Sequence, residues 1–317
     1  MLDRFTSMQV FARVAALGSL SGAARALGMS QTMATKHVAA LEARLSTKLL
    51  HRTTRRMTLT EAGRSYLTAV ERILSDIDEA EASASRESVD VRGTLRLNAP
   101  VSFGIRAIAP LLPDFSRLFP DLTVDLGLND RYVDLIEEGW DLVIRIGGMQ
   151  DSTMIARRLA PCPMVVCAAP SYLEAHGTPR TVADLQHHNC LRYTLSRSIG
   201  TERWPFGVDR RVTVTVSGSL KANNGDVLVA AAVAGEGVVY QPSFLVAREL
   251  EQGLLVPLSF DHRPIELDGV FAVYPSDRHP PAKVRVAIDF FAERLPLLPP
   301  LQGATPASPS QATVASA

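Results

Sequence analysis

Ser19–Leu50 reads SLSGAARALGMSQTMATKHVAALEARLSTKLL, and this stretch decides the fold of the N-terminal part of the chain. Its pattern predicts two short helices joined by a tight turn. Ser21 is expected to cap the first helix by accepting a hydrogen bond from a backbone N–H. Gly28 stands where a helix end needs a left-handed residue, and Ser30 can cap the second helix.

The second helix has one apolar face and one polar face. The apolar positions, which are expected to pack inward, are Ala34, Val38, Leu41 and Leu45. The positions that then point away from the core are Gln31, Thr32, Thr35 and Lys36. Such side chains reach base edges and phosphates, so the pattern favours a helix lying in the major groove of DNA. An ordinary helical hairpin with a solvated face is the alternative.

Charge separates the N-terminal part from the rest of the chain. Residues 1–60 hold nine basic and two acidic residues, for a net charge of +7, whereas residues 61–317 hold 24 basic and 31 acidic residues. Residues 48–59 predict a β-hairpin with a basic tip, a wing that can lie along phosphates or enter a minor groove. A surface hairpin without DNA contact is the alternative for the wing alone.

The N-terminal part resembles the winged helix-turn-helix of the LysR-type transcriptional regulators, and a looser similarity extends to about Leu295. The matching residues are Phe11, Gly18-Ser19-Leu20-Ser21, Ala23-Ala24, Leu27-Gly28, Ser30-Gln31, Leu41-Glu42, Leu45, Leu49-Leu50, Arg52-Thr53, Arg55 and Leu59-Thr60-Glu61-Ala62-Gly63. The chain departs from the family at Thr32, where proline is usual, at Ala34, and at Thr35-Lys36-His37. We therefore expect the fold to follow the family and the base preference to differ.

The expected DNA-binding residues lie on the second helix and the wing. They are Ser30, Gln31, Thr32, Thr35, Lys36, His37, Arg52, Thr53, Arg55 and Arg56. The role of His37 is open between a phosphate contact and none. The expected partner is double-stranded DNA with a pseudo-palindromic operator, and RNA polymerase is a further candidate partner.

Residues 61–90 predict a linker helix that Thr60 can cap. Its apolar positions follow coiled-coil spacing over about three heptads: Leu67, Val70, Leu74, Ile77, Ala80 and Ala84. Packing against its own domain is the alternative to pairing with a second subunit. The resemblance implies that this helix pairs two subunits in a homodimer or homotetramer.

From about Arg92 onward, strand and helix patterns alternate, which predicts an α/β domain with mostly parallel sheets. The predicted strands include Thr94–Ala99, Leu122–Leu128, Asp141–Ile146, Val212–Val216 and Val270–Tyr274. The predicted helices include Pro110–Leu118, Val133–Glu138, Asn223–Ala234 and Pro281–Leu295. The expected fold class is thus α/β multidomain, with a winged helix-turn-helix (1–60), a linker helix (61–90) and an effector-binding domain (91–297).

The resemblance implies that this last domain is built like periplasmic binding proteins, with subdomain I over about 91–160 and 267–297 and subdomain II over about 161–266. In open α/β sheets, ligands bind beyond the carboxyl ends of strands. The candidate effector-binding residues at such ends are Val101, Ser102, Phe103, Asp130, Arg131, Arg145, Gly147, Asn223, Asn224 and Gln241. Arg145 pairing with Asp141 or Asp130, and Asn223 acting as a helix cap, are the alternatives.

The sequence favours no catalytic or metal site. Ser-His-Asp and Cys-His constellations are absent as patterns, and His187-His188 have no metal-spaced partner. Cys162, Cys167 and Cys190 are read as buried apolar cysteines, with the oxidant sensing of some LysR-type proteins as the alternative. No apolar run reaches membrane-span length and no secretion signal is evident, so a cytoplasmic location is expected. The tail 298–317 is expected to be disordered.

The sequence therefore predicts a DNA-binding transcriptional regulator that a small-molecule effector modulates. It is not expected to be an enzyme, and no cofactor other than the unidentified co-inducer is expected. The alternative is a small-molecule-binding protein or enzyme whose helical head serves assembly, but that reading explains the +7 head poorly.

Overall fold

A computed structural model describes residues 2–52, 57–84, 91–148, 154–196, 199–275 and 280–301. The chain divides into two compact units, residues 1–90 and residues 91–317. Within the described residues, no helix is both long and apolar enough to cross a membrane.

The first unit contains four helices and a small hairpin among its described residues. They are α1 (Arg4–Leu17), α2 (Leu20–Ala26), α3 (Gln31–Leu45), β1 (Leu50–Arg52), β2 (Met57–Leu59) and α4 (Glu61–Ala84). Asp3 caps α1, because its carboxylate accepts from Thr6 N at 2.7 Å. Phe11 from α1 and Val38 from α3 are fully buried in the shared core.

The helix-turn-helix forms with one change from prediction. Ser19, and not Ser21, caps α2: Gly22 N donates to Ser19 Oγ at 3.2 Å. Leu20 is already helical and nearly buried, which places Ser21 inside the first turn. Gly28 has φ +64°, and Ser30 Oγ accepts from the backbone N–H of Met33, so both of these predictions are confirmed.

The inward face of α3 ends differently from the predicted pattern. Leu45 is 37% exposed, which corrects the prediction that it packs inward. It is the last residue of α3, and Ser46 leaves the helix with φ 51°. The buried position in that turn is Glu42, which is 4% exposed. Its Oε1 accepts from Leu49 N at 3.0 Å and from Leu50 N at 3.3 Å.

The first half of α4 packs on its own unit. Thr60 caps this helix, as predicted, because Gly63 N donates to Thr60 Oγ1 at 2.8 Å. Val70 is fully buried, and the ring of Tyr66 lies 5.7 Å from that of Phe11. The alternative of packing against its own domain therefore accounts for this part of the apolar stripe. The side chains of Ala80 and Ala84 lie outside the described residues.

The second unit is a mixed α/β structure. Its elements are β3 (Gly93–Ala99), α5 (Val101–Phe103), a π-helical turn (Gly104–Ile108), a 3₁₀ turn (Ala109–Leu111), α6 (Leu112–Leu118), β4 (Leu122–Leu128), β5 (Leu142–Ile146), β6 (Met154–Ala168), α7 (Pro170–His176), a 3₁₀ helix (Val182–His187), β7 (Cys190–Tyr193), β8 (Arg203–Phe206), β9 (Val212–Thr215), β10 (Lys221–Ala222), α8 (Gly225–Val233), β11 (Val238–Pro242), α9 (Ser243–Glu251), β12 (Val256–Pro257), β13 (Glu266–Pro275), α10 (Ala282–Arg294) and two 3₁₀ turns (Leu295–Leu297 and Pro299–Leu301).

The strands form a nine-stranded sheet in the order β10-β7-β11-β6-β13-β5-β3-β4, with β12 beside β6, and β8 and β9 form a separate hairpin. We call β4, β3, β5 and β13 the first half-sheet and β6, β11, β7 and β10 the second. Pairing is parallel around β3 and β7. It is antiparallel around β6 and β13, the long strands that join the halves, so the sheet is mixed and not mostly parallel.

Two predicted segments differ from the structure. The predicted helix over residues 133–138 does not form, and residues 135–139 form turns, because Asp134 Oδ1 accepts from the N–H groups of Ile136 and Glu137. The start of the predicted disordered tail is ordered: Leu301 is fully buried, and Ser243 Oγ donates to Pro300 O. Residues 302–317 lie outside the described residues.

Candidate functional site

The N-terminal turn of α3 presents polar side chains to solvent. Gln31, Thr32 and Lys36 are exposed. Thr35 is half-buried, and its hydroxyl donates to Gln31 O at 2.9 Å. Ser30 is exposed, but its Oγ is engaged in the helix cap. The face therefore offers an amide, hydroxyls and an ammonium group on a rigid, capped helix.

His37 does not belong to this face, which corrects its assignment as a DNA-binding residue. The side chain is 5% exposed, and its Nδ1 lies 2.9 Å from Ser7 Oγ of α1. His37 follows the exposed Lys36 by one position, which turns its side chain about 100° around the helix toward α1. The ring thus helps to join α1 and α3.

The hairpin of β1 and β2 is fastened to the end of α3. Leu50 pairs with Leu59 and Arg52 with Met57, in antiparallel register. The predicted wing residues Thr53, Arg55 and Arg56, and the side chain of Arg52, lie outside the described residues.

Glu42 is the anchor of the hairpin. Besides accepting from two backbone N–H groups of the β1 segment, its Oε2 accepts from Lys48 Nζ at 2.8 Å. Burial raises the pKa of the Glu42 carboxyl, but the hydrogen bonds from Lys48, Leu49 and Leu50 outweigh it, and the net pKa is lowered. The carboxylate is one of two acidic groups in residues 1–60, and its charge is used internally.

The second unit encloses a cavity of about 850 Å³. It lies beyond the carboxyl ends of β3, β4, β5 and β11, where open α/β sheets bind ligands. Both half-sheets line it, and its volume is in the range of small-molecule sites. The predicted residues that line it are Ser102, Phe103, Asp130, Arg131, Arg145 and Gln241.

The other predicted effector residues lie beside the cavity. They are Val101, Gly147, Asn223 and Asn224, which do not line it. Val101 N donates to Asp130 Oδ1 at 2.9 Å, and Asn224 Nδ2 donates to Asp130 Oδ2 at 3.0 Å. Asn224, and not Asn223, caps α8. These groups therefore position Asp130 and α8.

Arg145 stands at the end of β5 and reaches the wall of the cavity. Its Nη1 donates to Tyr132 Oη at 2.7 Å, and its Nη2 donates to Val133 O at 3.2 Å. The guanidinium carbon lies 4.0 Å from the centre of the Tyr132 ring. Within the described residues, Arg145 has no ion pair with Asp141 or Asp130. Asp141 pairs instead with Lys283 at 2.7 Å.

A polar cluster next to the cavity joins the two half-sheets; we call it the latch, and it consists of Ser102, Arg106, Asp226 and Glu249. Ser102 Oγ donates to Asp226 Oδ2 at 2.5 Å. Arg106 Nη2 donates to Asp226 Oδ1 at 2.7 Å, and its Nη1 lies 3.5 Å from Glu249 Oε2. Ser102 and Arg106 follow β3, whereas Asp226 and Glu249 belong to α8 and α9, so the latch spans the cleft.

Aromatic lining residues escaped the sequence analysis. They are Tyr193, Trp204 and Phe244, whereas Tyr240, which also lines the cavity, lies next to the predicted Gln241 at the end of β11. Burial, and secondarily the Asp130 carboxylate, raises the pKa of Tyr193 to about 12, so its phenol stays neutral. Tyr193 ends β7, a strand of four residues with no alternation to reveal it. The phenol oxygen of Tyr240 is occupied, because it donates to Pro205 O and accepts from Ile265 N.

The cysteines are buried and apolar in setting. Cys162, Cys167 and Cys190 are each fully buried, and burial raises the pKa of each thiol to about 12. Thiolate, the reactive form, is thus disfavoured. No cluster of three metal-ligating side chains occurs among the residues that the structure describes.

Comparison with known proteins matches both units to family models. Residues 5–64 match the bacterial regulatory helix-turn-helix protein model of the lysR family, and residues 89–296 match the LysR substrate binding domain. An HTH-type transcriptional regulator from Haemophilus influenzae is 36% identical over 287 residues, covering 89% of this chain and 98% of that protein. The HTH-type transcriptional activator AaeR of Escherichia coli strain K12 is 36% identical over 301 residues, 92% of this chain and 95% of that protein.

A solved structure gives the same result. CrgA, a LysR-type transcriptional regulator from Neisseria meningitidis, superposes with a TM-score of 0.56 at 31% identity. The match covers 92% of this chain and 98% of that structure.

Proposed function

Because the chain belongs to the LysR family of bacterial transcriptional regulators, and is thus a DNA-binding regulator modulated by a small-molecule effector, we propose which of its residues perform each task. The observation that carries the proposal is the exposed polar turn of α3, which lies within residues 1–60, a segment with net charge +7. Ser30, Gln31, Thr32, Thr35 and Lys36 contact DNA, with Gln31 reading a base edge and Lys36 a phosphate.

The wing supports this contact from the backbone side of the DNA. Arg52, Thr53, Arg55 and Arg56 lie along phosphates or in a minor groove. Glu42 acts as a positioning residue, because it fixes the hairpin on the end of α3. The operator is a pseudo-palindrome read by a homodimer or homotetramer, and RNA polymerase is a further partner of the bound complex.

The domain boundaries follow from these roles. Residues 1–60 form the DNA-binding domain, 61–90 the linker helix and 91–297 the effector-binding domain, in which subdomain I comprises about 91–160 and 267–297. The effector occupies the cavity between the subdomains. Its binding changes how the latch joins them, and the preferred arrangement of the oligomer shifts with it. The protein acts in the bacterial cytoplasm because its partner is DNA, performs no catalysis, and takes no cofactor besides the effector.

Substitution of Gln31 tests the DNA assignment. Gln31→Ala should cost about 1–3 kcal/mol on the operator, since a bidentate base contact is lost, and little on random DNA. The matched control is Gln252→Ala, an exposed glutamine of the second unit, which should leave both affinities unchanged. Affinities are measured by fluorescence anisotropy on an operator selected from a random-sequence library. Equal losses on operator and random DNA would show that Gln31 only positions the helix.

The latch is tested through the coupling. An effector that shifts the arrangement should change operator affinity by about 5–150-fold, which corresponds to about 1–3 kcal/mol. Ser102→Ala removes one latch bond without removing a charge and should reduce that factor. An unchanged factor would contradict the role of the latch in the coupling. The effect of Ser102→Ala on stability alone is measured by thermal unfolding without ligand.

A further inference from the structure

Gln241, which lines the cavity, has a buried hydrogen-bond donor without a partner in the described residues. The residue is 2% exposed and lines the cavity at the end of β11. Within the described residues, its Nε2 has no hydrogen-bond partner. A buried donor without a partner is costly, and native proteins pair nearly all such groups. Because Gln241 lies on the wall of a cavity of about 850 Å³, a ligand atom in that cavity is the candidate acceptor.

Of the two arginines that line the cavity, Arg131 is paired with a carboxylate and Arg145 is not, within the described residues. Arg131 donates to both carboxylate oxygens of Glu138, at 2.8 and 2.9 Å. Asp268 pairs with Arg210 at 2.7 Å. Arg145 is thus the lining cation for which the described part of the chain supplies no carboxylate. A guanidinium has five N–H donors, and Arg145 uses two of them on Tyr132 and Val133.

The remaining carboxylate limits the charge of the ligand. Asp130 lines the cavity, and each of its oxygens accepts a hydrogen bond from a neutral donor, Val101 N or Asn224 Nδ2. No cation pairs with it in the described residues. A ligand with one negative charge pairs with Arg145, and only that charge is repelled by the Asp130 carboxylate. A dianion brings a second negative charge, which Asp130 repels as well.

The walls favour a flat or apolar body. Phe103 and Phe244 meet edge to face at 5.1 Å, as do Trp204 and Tyr240 at 5.4 Å, and all four line the cavity. Such surfaces bury apolar area and stack on unsaturated groups. The cavity therefore combines one polar pole with aromatic sides.

We propose that the effector is a small organic monocarboxylate, whose carboxylate pairs with Arg145 and which accepts a further hydrogen bond from Gln241 Nε2. This inference rests on the proposed function, because it names the class of effector for the same cavity. Arg145 supplies the charge preference, and Gln241 supplies a second fixed point that orients the ligand.

The test compares acids with their neutral amides on the full chain. The probes are benzoate, cinnamate, butyrate and hexanoate at about 10 mM, a concentration suited to weak ligands, each beside its primary amide, with succinate as a dianion. Binding is read by thermal shift and by tryptophan fluorescence, because Trp204 lines the cavity. We expect at least one monocarboxylate to bind while its amide and succinate do not.

Three variants locate the contacts. Arg145→Gln should weaken binding of the active acid by about tenfold or more, as expected for a lost charge-assisted hydrogen bond. Arg285→Gln, an exposed arginine of α10, is the matched control and should bind as the wild type does. Gln241→Met keeps the length of the side chain but removes the unpaired donor. It should raise the melting temperature of the ligand-free protein by a few degrees and weaken binding of the active acid.

The outcomes separate this inference from the proposed function. Three results would overturn the proposal that the effector is a monocarboxylate. They are equal binding of an acid and its amide, no binding of any acid, and undiminished binding of the acid to Arg145→Gln. An amide that binds and alters operator affinity overturns it too, but keeps the proposed function. An acid that binds through Arg145 yet leaves operator affinity unchanged supports the ligand class and contradicts the coupling.

Discussion

Removing the Glu42 side chain should destabilise the attachment of the β1–β2 hairpin to the end of α3. In Glu42→Ala, the N–H groups of Leu49 and Leu50, residues that are 1% and 5% exposed, lose their acceptor. An unsatisfied buried donor costs about 1–3 kcal/mol. The ion pair with Lys48 adds little, because the Lys48 side chain is 79% exposed. We therefore expect a loss of about 2–4 kcal/mol in the first unit, and about 1 kcal/mol for Glu42→Gln, which keeps one acceptor oxygen.

The assay uses the position of the tryptophans. Both tryptophans of the chain, Trp140 and Trp204, lie in the second unit, so their fluorescence reports its unfolding, whereas far-UV circular dichroism reports both units. In urea titrations of the full chain, Glu42→Ala should bring forward part of the dichroism transition and leave the fluorescence transition in place. Glu251→Ala, at an exposed position of α9, should change neither. A first-unit transition within about 0.5 kcal/mol of the wild type would refute the anchoring role.

The same carboxylate gives a pH dependence. Its folded pKa is lowered below the ordinary 4.5, so its contribution is fully present above that pH and is lost as the pH falls through the folded pKa. The wild-type first unit should lose stability below pH 4.5 by a larger amount than Glu42→Gln. Parallel pH profiles of the two proteins would contradict the assignment.

Three further outcomes are expected. Arg52→Ala should weaken binding to all DNA sequences and lower the slope of log affinity against log salt by about one unit, and an unchanged slope with intact affinity would exclude a phosphate contact. The thiols of Cys162, Cys167 and Cys190 should react with a disulfide reagent at pH 8 only in urea, because burial holds each thiol pKa at about 12; rapid reaction of the native protein would contradict this. Lys283→Met should lower the free energy of unfolding of the second unit by about 2–3 kcal/mol in urea, because the largely buried carboxylate of Asp141 loses its ion-pair partner. No change in that free energy would show that solvent already screens the pair.

The exposed polar face of α3 could be predicted from the sequence because its signals are local. Caps at Ser30 and Thr60 and the left-handed Gly28 act over a few residues, and the chain alone determines them. His37 could not be placed in this way. Whether a side chain at the edge of a polar stripe turns outward depends on α1, and the contact with Ser7 joins residues 30 positions apart.

The cavity was only partly predictable for the same reason. Residues at strand ends, such as Ser102 and Arg145, were found because the ends of parallel strands share one edge of a sheet. Tyr193 and Trp204 come from short strands of four residues, which carry too little alternation to be identified. The latch between Ser102 and Asp226 spans 124 positions, and no periodicity along the chain encodes such a contact.

Salt dependence of DNA binding tests the central claim most directly. Affinity of the full chain for its operator is measured between about 50 and 200 mM potassium chloride, the range over which counterion release is steep. If the cationic segment of residues 1–60 binds the phosphates, log affinity should fall linearly with log salt, with a slope of about 0.9 per phosphate contacted and several units in all. A slope near zero would contradict the account, because an uncharged or purely protein-facing surface releases no counterions.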